Sequence, residues 1–555
     1  MTASEKTQPE KTQPRNFRAV LAADLRLGAG NVLARLAEHG ADLDAPRVTF
    51  DADVDAIAAG TPLSIRVLTR LAAARADWFH SRGIGRRDPV ALYVTSAADV
   101  FLNYFALTRL GAIPALLNGN MPTDIAGDYI RRLRCKGVVT DGPHAAVAQY
   151  DLAAPVLGDA AETGAGDPQR APAHFRHHGD DPVAITHSSG TTRVPAAVVH
   201  SHHSLFAAIR AVRLTEPRPY GRVRELSALP AAHAAGIITI NQALCNGYEL
   251  LCLSAQGGRA EAGGEAILNA IERWRPTGVF GFAVTWAELA RFDLSRRDLS
   301  SVRNWFNTGD CAHETHIRRL IAVGSHLEPT PEGPREVRGS KFIDSLGSTE
   351  MGHSAFSMTH RLGSEMYDRC VGKVFPFAEI KLLDAAGDEV PVGTVGQAAM
   401  KSPTLALGYW NDSVATYRSR LNGYYLTGDL MYRDEEGYFY HVDRASDAVD
   451  LGEGRWLYSA LSEERILKQC PDVRDCTVVA DRVENGPPIV DVLLLLAPEA
   501  DPAADREPAV RSALGSAAAA VLRRVVSVPE EEIIVGPTGK VRKFLMRQRL
   551  AAAAG

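Results

Sequence analysis

The sequence has only seven cysteines in 555 residues, and none of them forms a Cys-x-x-Cys pair. An odd, scattered set of this kind (Cys135, Cys245, Cys252, Cys311, Cys370, Cys470, Cys476) argues against a disulfide framework and against a structural zinc site. It fits reduced thiols in a cytoplasmic setting. No run of apolar residues approaches eighteen, so no membrane span is expected. Neither sign of charge dominates: 61 basic against 66 acidic residues leave a net charge of −5. That balance gives no electrostatic reason to expect nucleic acid or an anionic membrane as partner. The first sixteen residues repeat EKTQP and lack the apolar centre of a signal peptide, so residues 1–16 read as a disordered tail.

What is present is the composition of an ordinary globular protein, 46% hydrophobic and 23% charged. Its length exceeds what one hydrophobic core supports, which predicts more than one domain. Strand-length apolar runs such as PVALYVTS (89–96) and KGVVTD (136–141) alternate with helical stretches such as 97–112. That alternation predicts an α/β architecture with largely parallel sheets in two α/β subdomains. Near residue 355 the texture changes to short alternating runs between Gly, Pro and Asp turns, predicting a β-rich subdomain. After about residue 447 come a helix at 462–469, two strands, an alanine-rich helix near 507–524 and a basic end, enough for a small α+β domain. The expected boundaries are a large domain over 17–442, a hinge at 443–447 and a small mobile domain over 448–555. The low-complexity loop 161–181 reads as exposed and mobile, and the histidines 177, 178, 200, 202 and 203 as solvated or capping groups.

Ser188, Ser189, Gly190, Thr191 and Thr192 offer backbone N–H groups and four hydroxyls with little bulk, a way to wrap an anion. A polar turn is the alternative reading of the same residues. Four further polar segments follow in order: the His233 segment LPAAHAAG, NTGDCAHE, DSLGSTEMG, and LTGD with its downstream DR; TGKVRK lies near the end. Asp429 is suited to accept from ribose hydroxyls, Glu350 to hold a magnesium ion against phosphate, and Lys540 to bring a mobile charge to a reacting centre.

This ordered set resembles the superfamily of AMP-forming adenylating enzymes, over residues 20 to 550. The resemblance implies ATP and Mg²⁺ as cofactors, attack of an acid on the α-phosphorus, and release of pyrophosphate. It assigns the phosphate loop to Ser188–Thr192, the α-phosphate contact to Thr349, and the metal to Glu350. Gly309, Asp310, Cys311 and Gly347 fall where adenine is lined, His233 where the acid pocket is gated, Asp429 and Arg444 at the ribose, and Lys540 at the catalytic lysine. The lysine that usually ends the phosphate loop is absent, and Arg193 is placed to supply its charge. Leu346 stands where an aromatic is usual, and Asp443 and Ser446 alter the hinge. The partners expected are a small-molecule acid, carboxylate or nitrite, and a second nucleophile, whether amine, coenzyme A or carrier protein. Activation of a carboxylic acid is the first expectation. Alternatives are a diazotase that adenylates nitrite for an aromatic amine, and a non-catalytic adenylate-binding protein. Phe282, Trp286, Trp305 and Phe306 are candidates to line an aryl pocket.

Overall fold

The computed structural model describes residues 17–188, 194–254, 260–481, 488–536 and 540–552. Two large sheets dominate. In the first, the strands Pro182–His187, Ile113–Leu117, Pro89–Tyr93, Gly137–Thr140 and Val156–Asp159 run parallel, and Ala197–Ser201 and Gly408–Tyr409 add antiparallel at one edge. The central strands are apolar at nearly every position because helices cover both faces.

The second sheet joins both textures that the sequence separates. Its parallel half orders Pro46–Phe50, Glu249–Cys252, Arg224–Ser227, Gly278–Phe282, Asn304–Thr308 and Lys341–Asp344 side by side. From Phe356–His360 onward every pairing is antiparallel, through Cys370–Val374, Phe439–Arg444, Tyr424–Arg433, Gly396–Lys401 and Glu379–Leu383. This is the β-rich subdomain, continuous with the α/β sheet. The small α+β unit carries the strands Val473–Asp481, Ile489–Leu496 and Leu522–Ser527 with helices Ser459–Gln469, Glu507–Ala520 and Lys543–Ala552.

Local signals place the helices well. Ala97–Leu110 begins behind Ser96, whose side chain accepts from the Ala98 and Asp99 N–H groups, and ends on Gly111 at φ 72°. Each such cap contributes about 1 kcal/mol. The alanine-rich helix stops at Ala520, short of the expected 524, because Leu522–Ser527 pairs in parallel with Ile489–Leu496. Gly515, at φ 76° and ψ 166°, also breaks the helix internally.

The loop at 161–181 differs from expectation as well, because it is pinned. The Asp167 N–H donates to Asp77 Oδ2 at 2.9 Å, Arg109 Nε donates to the Pro172 carbonyl at 2.9 Å, and the Phe175 N–H donates to the Arg109 carbonyl at 2.8 Å. His200 and His202 are core groups and not solvated ones, and His177 is half-buried. His200 is fully buried against Thr186 Oγ1 at 2.9 Å, and His177 stacks on His202 at 4.9 Å between ring centres. Burial holds all three below the usual histidine range, so they pack as neutral rings.

Candidate active site

The polar segments gather at the carboxyl ends of the parallel strands, where open α/β sheets form crevices. Ser188 follows the strand Pro182–His187. Its N–H donates to the Ala196 carbonyl at 2.9 Å and its Oγ accepts from the Ala196 N–H at 3.1 Å, closing the base of the 188–196 loop. Ser189, Gly190, Thr191, Thr192 and Arg193 lie outside the described residues.

His233 caps the helix Ala234–Asn246 through Nδ1, which accepts from the Ala235 N–H at 3.1 Å. An accepting Nδ1 leaves the proton on Nε2, and Nε2 lies 3.3 Å from Thr349 Oγ1. The threonine hydroxyl in turn donates to the His187 carbonyl at 3.5 Å. Burial, with the Lys540 charge acting in the same direction, pushes His233 down to about 3. It is therefore a neutral donor across the working pH range. Phe282 meets its edge at 5.0 Å between ring centres.

Gly309 and Gly347 stitch the ends of two parallel strands together. The Gly347 N–H donates to the Gly309 carbonyl at 3.2 Å. Gly309 sits at φ 92°, a left-handed value that favours glycine. At Gly347 an added Cβ would come within 2.8 Å of Ser354 Cα, so no larger residue fits without moving backbone. Leu346, 3% exposed, packs into the core with Met351 and Phe356. The Cys311 side chain also turns inward, its Sγ 3.4 Å from Asp344 Oδ2. Only its backbone borders the crevice beside Asp310.

A chain of charges crosses the site. Arg444 Nη1 donates to Asp429 Oδ1 at 2.6 Å, the two residues facing each other in register on adjacent strands. His441 Nε2 lies 3.3 Å from the same oxygen. Arg369 donates to the His441 carbonyl at 3.0 Å and to His441 Nδ1 at 2.9 Å, and its Nη2 lies 3.5 Å from Asp310 Oδ1. Asp310 Oδ2 then meets Lys540 Nζ at 3.6 Å. Burial alone would raise both carboxyls. For Asp429 the opposing cation is first Arg444; for Asp310 it is first Lys540 and then Arg369, and both acids end well below the ordinary range. Glu350 stands apart, with Oε1 accepting from the Tyr409 hydroxyl at 3.1 Å. Among the described residues no group of three or more His, Cys, Asp or Glu side chains could hold a metal by itself.

Lys540 belongs to the small domain and Asp310 to the large sheet, so this contact spans the two. The interface around it is polar: His313 Nδ1 to Glu464 Oε2 at 2.6 Å, Arg291 to Glu530 at 3.0 Å, and Lys468 to Glu314 at 3.5 Å. Asp443 accepts from both the Ser459 N–H and hydroxyl, at 2.5 and 3.0 Å, fixing the start of the connection.

Sequence reasoning missed His187, Arg369, Tyr409, His441 and Glu464. Only His441 had a local signal, since it alternates with Phe439 and Asp443 on the buried side of its strand. Two aryl-pocket candidates are corrected. Trp286 and Trp305 are fully buried on the opposite face, where their indole N–H groups donate to Asn307 Oδ1 and Ser340 Oγ, each at 2.8 Å. Trp305 is one strand position out of phase with Phe306, and Trp286, on the helix Ala283–Leu289, packs edge-on against Trp305 at 5.8 Å between ring centres, whereas Phe282 and Phe306 stay on the crevice side.

Two α/β sheets meeting at a polar crevice, with a small domain delivering a lysine into it, are the architecture of an adenylate-forming ligase. The family model described as AMP-binding enzyme matches residues 44–410, and the chain belongs to that family. It is an ATP-dependent, AMP-forming ligase. A curated relative, 3-aminoavenalumate diazotase from Streptomyces sp, is 41% identical over 97% of this chain and 98% of its own. Another, 3-hydroxybenzoate–CoA ligase from Aromatoleum sp. (strain CIB), is 26% identical over 85% of this chain and 88% of its own. The solved structure of the anthranilate CoA ligase AuaEII in complex with anthranoyl-AMP superposes with a TM-score of 0.80 at 19% identity, covering 96% of this chain and 99% of that one. The fold is thus shared over nearly the full length. No helix among the described residues is long and apolar enough to cross a membrane.

Proposed function

We propose that the acid activated is nitrite and that the second nucleophile is the amino group of an aromatic amine, which leaves as a diazonium ion. The observation that carries this reading is the full-length, 41% identity to a diazotase, against 26% to the coenzyme A ligase. In the first step a nitrite oxygen attacks the α-phosphorus, the bond to pyrophosphate breaks, and a mixed anhydride of nitrite and AMP forms. The amine then attacks the nitrosyl nitrogen and AMP leaves with the former nitrite oxygen. The N-nitroso product loses water on protonation to give the diazonium ion.

The chain's own residues divide the work by position. Asp429, paired through only one oxygen to Arg444, keeps the other for ribose hydroxyls. Thr349, whose oxygen accepts from neutral His233, turns its one hydroxyl proton from the His187 carbonyl, 3.5 Å away, to the α-phosphate when nucleotide binds. Lys540 neutralises charge developing there, its place beside Asp310 being the adenylation arrangement of the two domains. Gly309, Asp310, the backbone of Cys311, and Gly347 line the adenine, and Ser188 anchors the loop whose members, with Arg193, take the phosphates. Glu350 is the carboxylate for Mg²⁺, which would screen the phosphate oxygens; a single carboxylate fits an ion held mainly by the nucleotide. We place the hinge at 443–447, turning about Ser446. Seven free, buried thiols fit a reducing cytoplasm.

Activation of a carboxylic acid is the second reading, favoured by the acid–CoA ligases among the relatives and by the crevice face of Phe280, Phe282 and Phe306, which suits an aryl acid equally. Pyrophosphate release by purified protein separates them. The expected result is release with nitrite plus an arylamine and an azo dye on coupling the product to a naphthol. Release driven by an aryl carboxylate and coenzyme A, with none from nitrite, would establish the second reading instead.

A further inference from the structure

Three local departures from regular structure converge on one histidine. The strand Phe439–Arg444 carries an extra residue against its neighbour Tyr424–Arg433, since Leu430 pairs with Asp443 but Met431 pairs with His441. In a regular strand His441 and Arg444, three positions apart, would point to opposite faces. The bulge turns both toward the same Asp429 oxygen, with Arg444 Nη1 at 2.6 Å and His441 Nε2 at 3.3 Å. Just ahead of the strand Cys370–Val374, which pairs with Phe439–Arg444 on its other edge, Asp368 and Arg369 hold φ values of 53° and 61°. These are left-handed conformations, costly for a residue with a side chain. The third departure is the guanidinium of Arg369, a charged group whose side chain is only 3% exposed.

What Arg369 reaches from that backbone is His441. Its Nε donates to the His441 carbonyl at 3.0 Å, its Nη2 to His441 Nδ1 at 2.9 Å, and its own carbonyl accepts from the His441 N–H at 3.1 Å. Its contact with Asp310 is longer, 3.5 Å, and Asp310 also faces Lys540, so the guanidinium is spent mainly on His441. Arginine has no acceptor, so Nδ1 accepts and the ring's N–H is at Nε2, the atom beside Asp429. That Nε2 is buried and makes no aligned hydrogen bond among the described residues, so a small turn of the Asp429 carboxylate is enough to engage it. Arg444 differs: its side chain is 46% exposed, open to water and to a nucleotide.

We propose that Arg369 and His441 are positioning residues for the ribose: Arg369 sets the ring, and the ring's Nε2–H holds Asp429 Oδ1, leaving Oδ2 turned to the ribose hydroxyls while Arg444 is free to follow the nucleotide. The inference rests on the placing of the ribose at Asp429 and is independent of which acid is activated.

The test measures calorimetric binding of ATP, 2′-deoxy-ATP and 3′-deoxy-ATP, each with Mg²⁺ and without any acid, to the full-length wild type, Asp429→Asn, His441→Phe, His441→Gln and Arg369→Lys. A hydrogen bond to a carboxylate predicts that the wild type favours ATP over at least one deoxy analogue by about tenfold to a hundredfold. His441→Phe should cut that preference about fivefold, the worth of one hydrogen bond, and His441→Gln, which still donates from its amide, should restore most of it. Arg369→Lys keeps a charge but loses the fork that orients the ring, so it should also cut the preference; it carries the test if His441→Phe does not fold. A preference unchanged in either folded variant, even with weaker binding of all three nucleotides or a lower Tm, would make the pair purely structural and overturn the proposal. So would a loss in His441→Gln equal to that in His441→Phe. Equal binding of the three nucleotides by the wild type, or a preference that survives Asp429→Asn, would reject the ribose assignment and the proposal with it.

Discussion

The two ends of the charge chain are built differently. At one end Asp429 and Arg444 face each other on neighbouring strands of one sheet at 2.6 Å, with the Asp429 side chain 6% exposed. At the other, Lys540 and Asp310 meet across two domains at 3.6 Å, and each side chain is 39% exposed. The first pair is set by strand register within one sheet, although the Arg444 side chain itself is 46% exposed. The second depends on how the small domain is seated. In the proposed mechanism, a preformed ribose end and a lysine end held only by how the small domain is seated suit an enzyme that performs two different steps at one crevice.

The sharpest way to break this comparison is to remove the movable end. Lys540→Ala should lower nitrite-dependent pyrophosphate release by about a hundredfold to a thousandfold. Transfer from a chemically prepared adenylate should change little. Removing the fixed end should act on binding instead. Asp429→Asn is expected to raise the KM for ATP about tenfold or more and to lower Tm, because Arg444 and buried His441 lose their anion.

A smaller effect tests the seating itself. Although burial opposes it, Glu464 raises His313 above the usual 6.5, and His313 in turn helps to hold Glu464 down at about 2. The raised histidine stabilises the seated arrangement fully below about 6.5 and loses that contribution as pH rises through its folded value. The lowered carboxyl contributes above about 4.5 and loses its share as pH falls towards 2. The Tm gap between wild type and Glu464→Gln should therefore be wider at pH 6 than at pH 8.5, and a gap independent of pH would contradict this. The smallest expectation is an absence: with His233 held neutral at about 3, the pH–rate profile of pyrophosphate release should have the same limbs above pH 5 in His233→Asn as in the wild type.

The same contrast explains what could be read from the sequence. Groupings carried by short contiguous strings were legible: Asp429 and Arg444 do meet as a pair, and Thr349 does come beside His233. So was the change from parallel to antiparallel texture near residue 355. Partners that meet only through tertiary packing were not. Arg369 has no local pattern that joins it to Asp310 or His441, and Glu464 reaches His313 across 151 positions. Trp305 misled because aromatic content near a motif says nothing of strand phase, and one residue of register turns a pocket wall into core; Trp286 misled because the helix Ala283–Leu289 turns it inward against Trp305. The buried histidines misled for a related reason: a polar-looking string is no sign of exposure once its rings have carbonyl and hydroxyl partners.

The most direct test of the central claim follows an oxygen atom. Turnover with ¹⁸O-labelled nitrite, ATP and an arylamine should yield AMP carrying one ¹⁸O, because the oxygen that attacks the α-phosphorus stays there when the amine takes the nitrogen. AMP free of label, with the α-phosphate oxygen drawn from water, would contradict adenylation of nitrite.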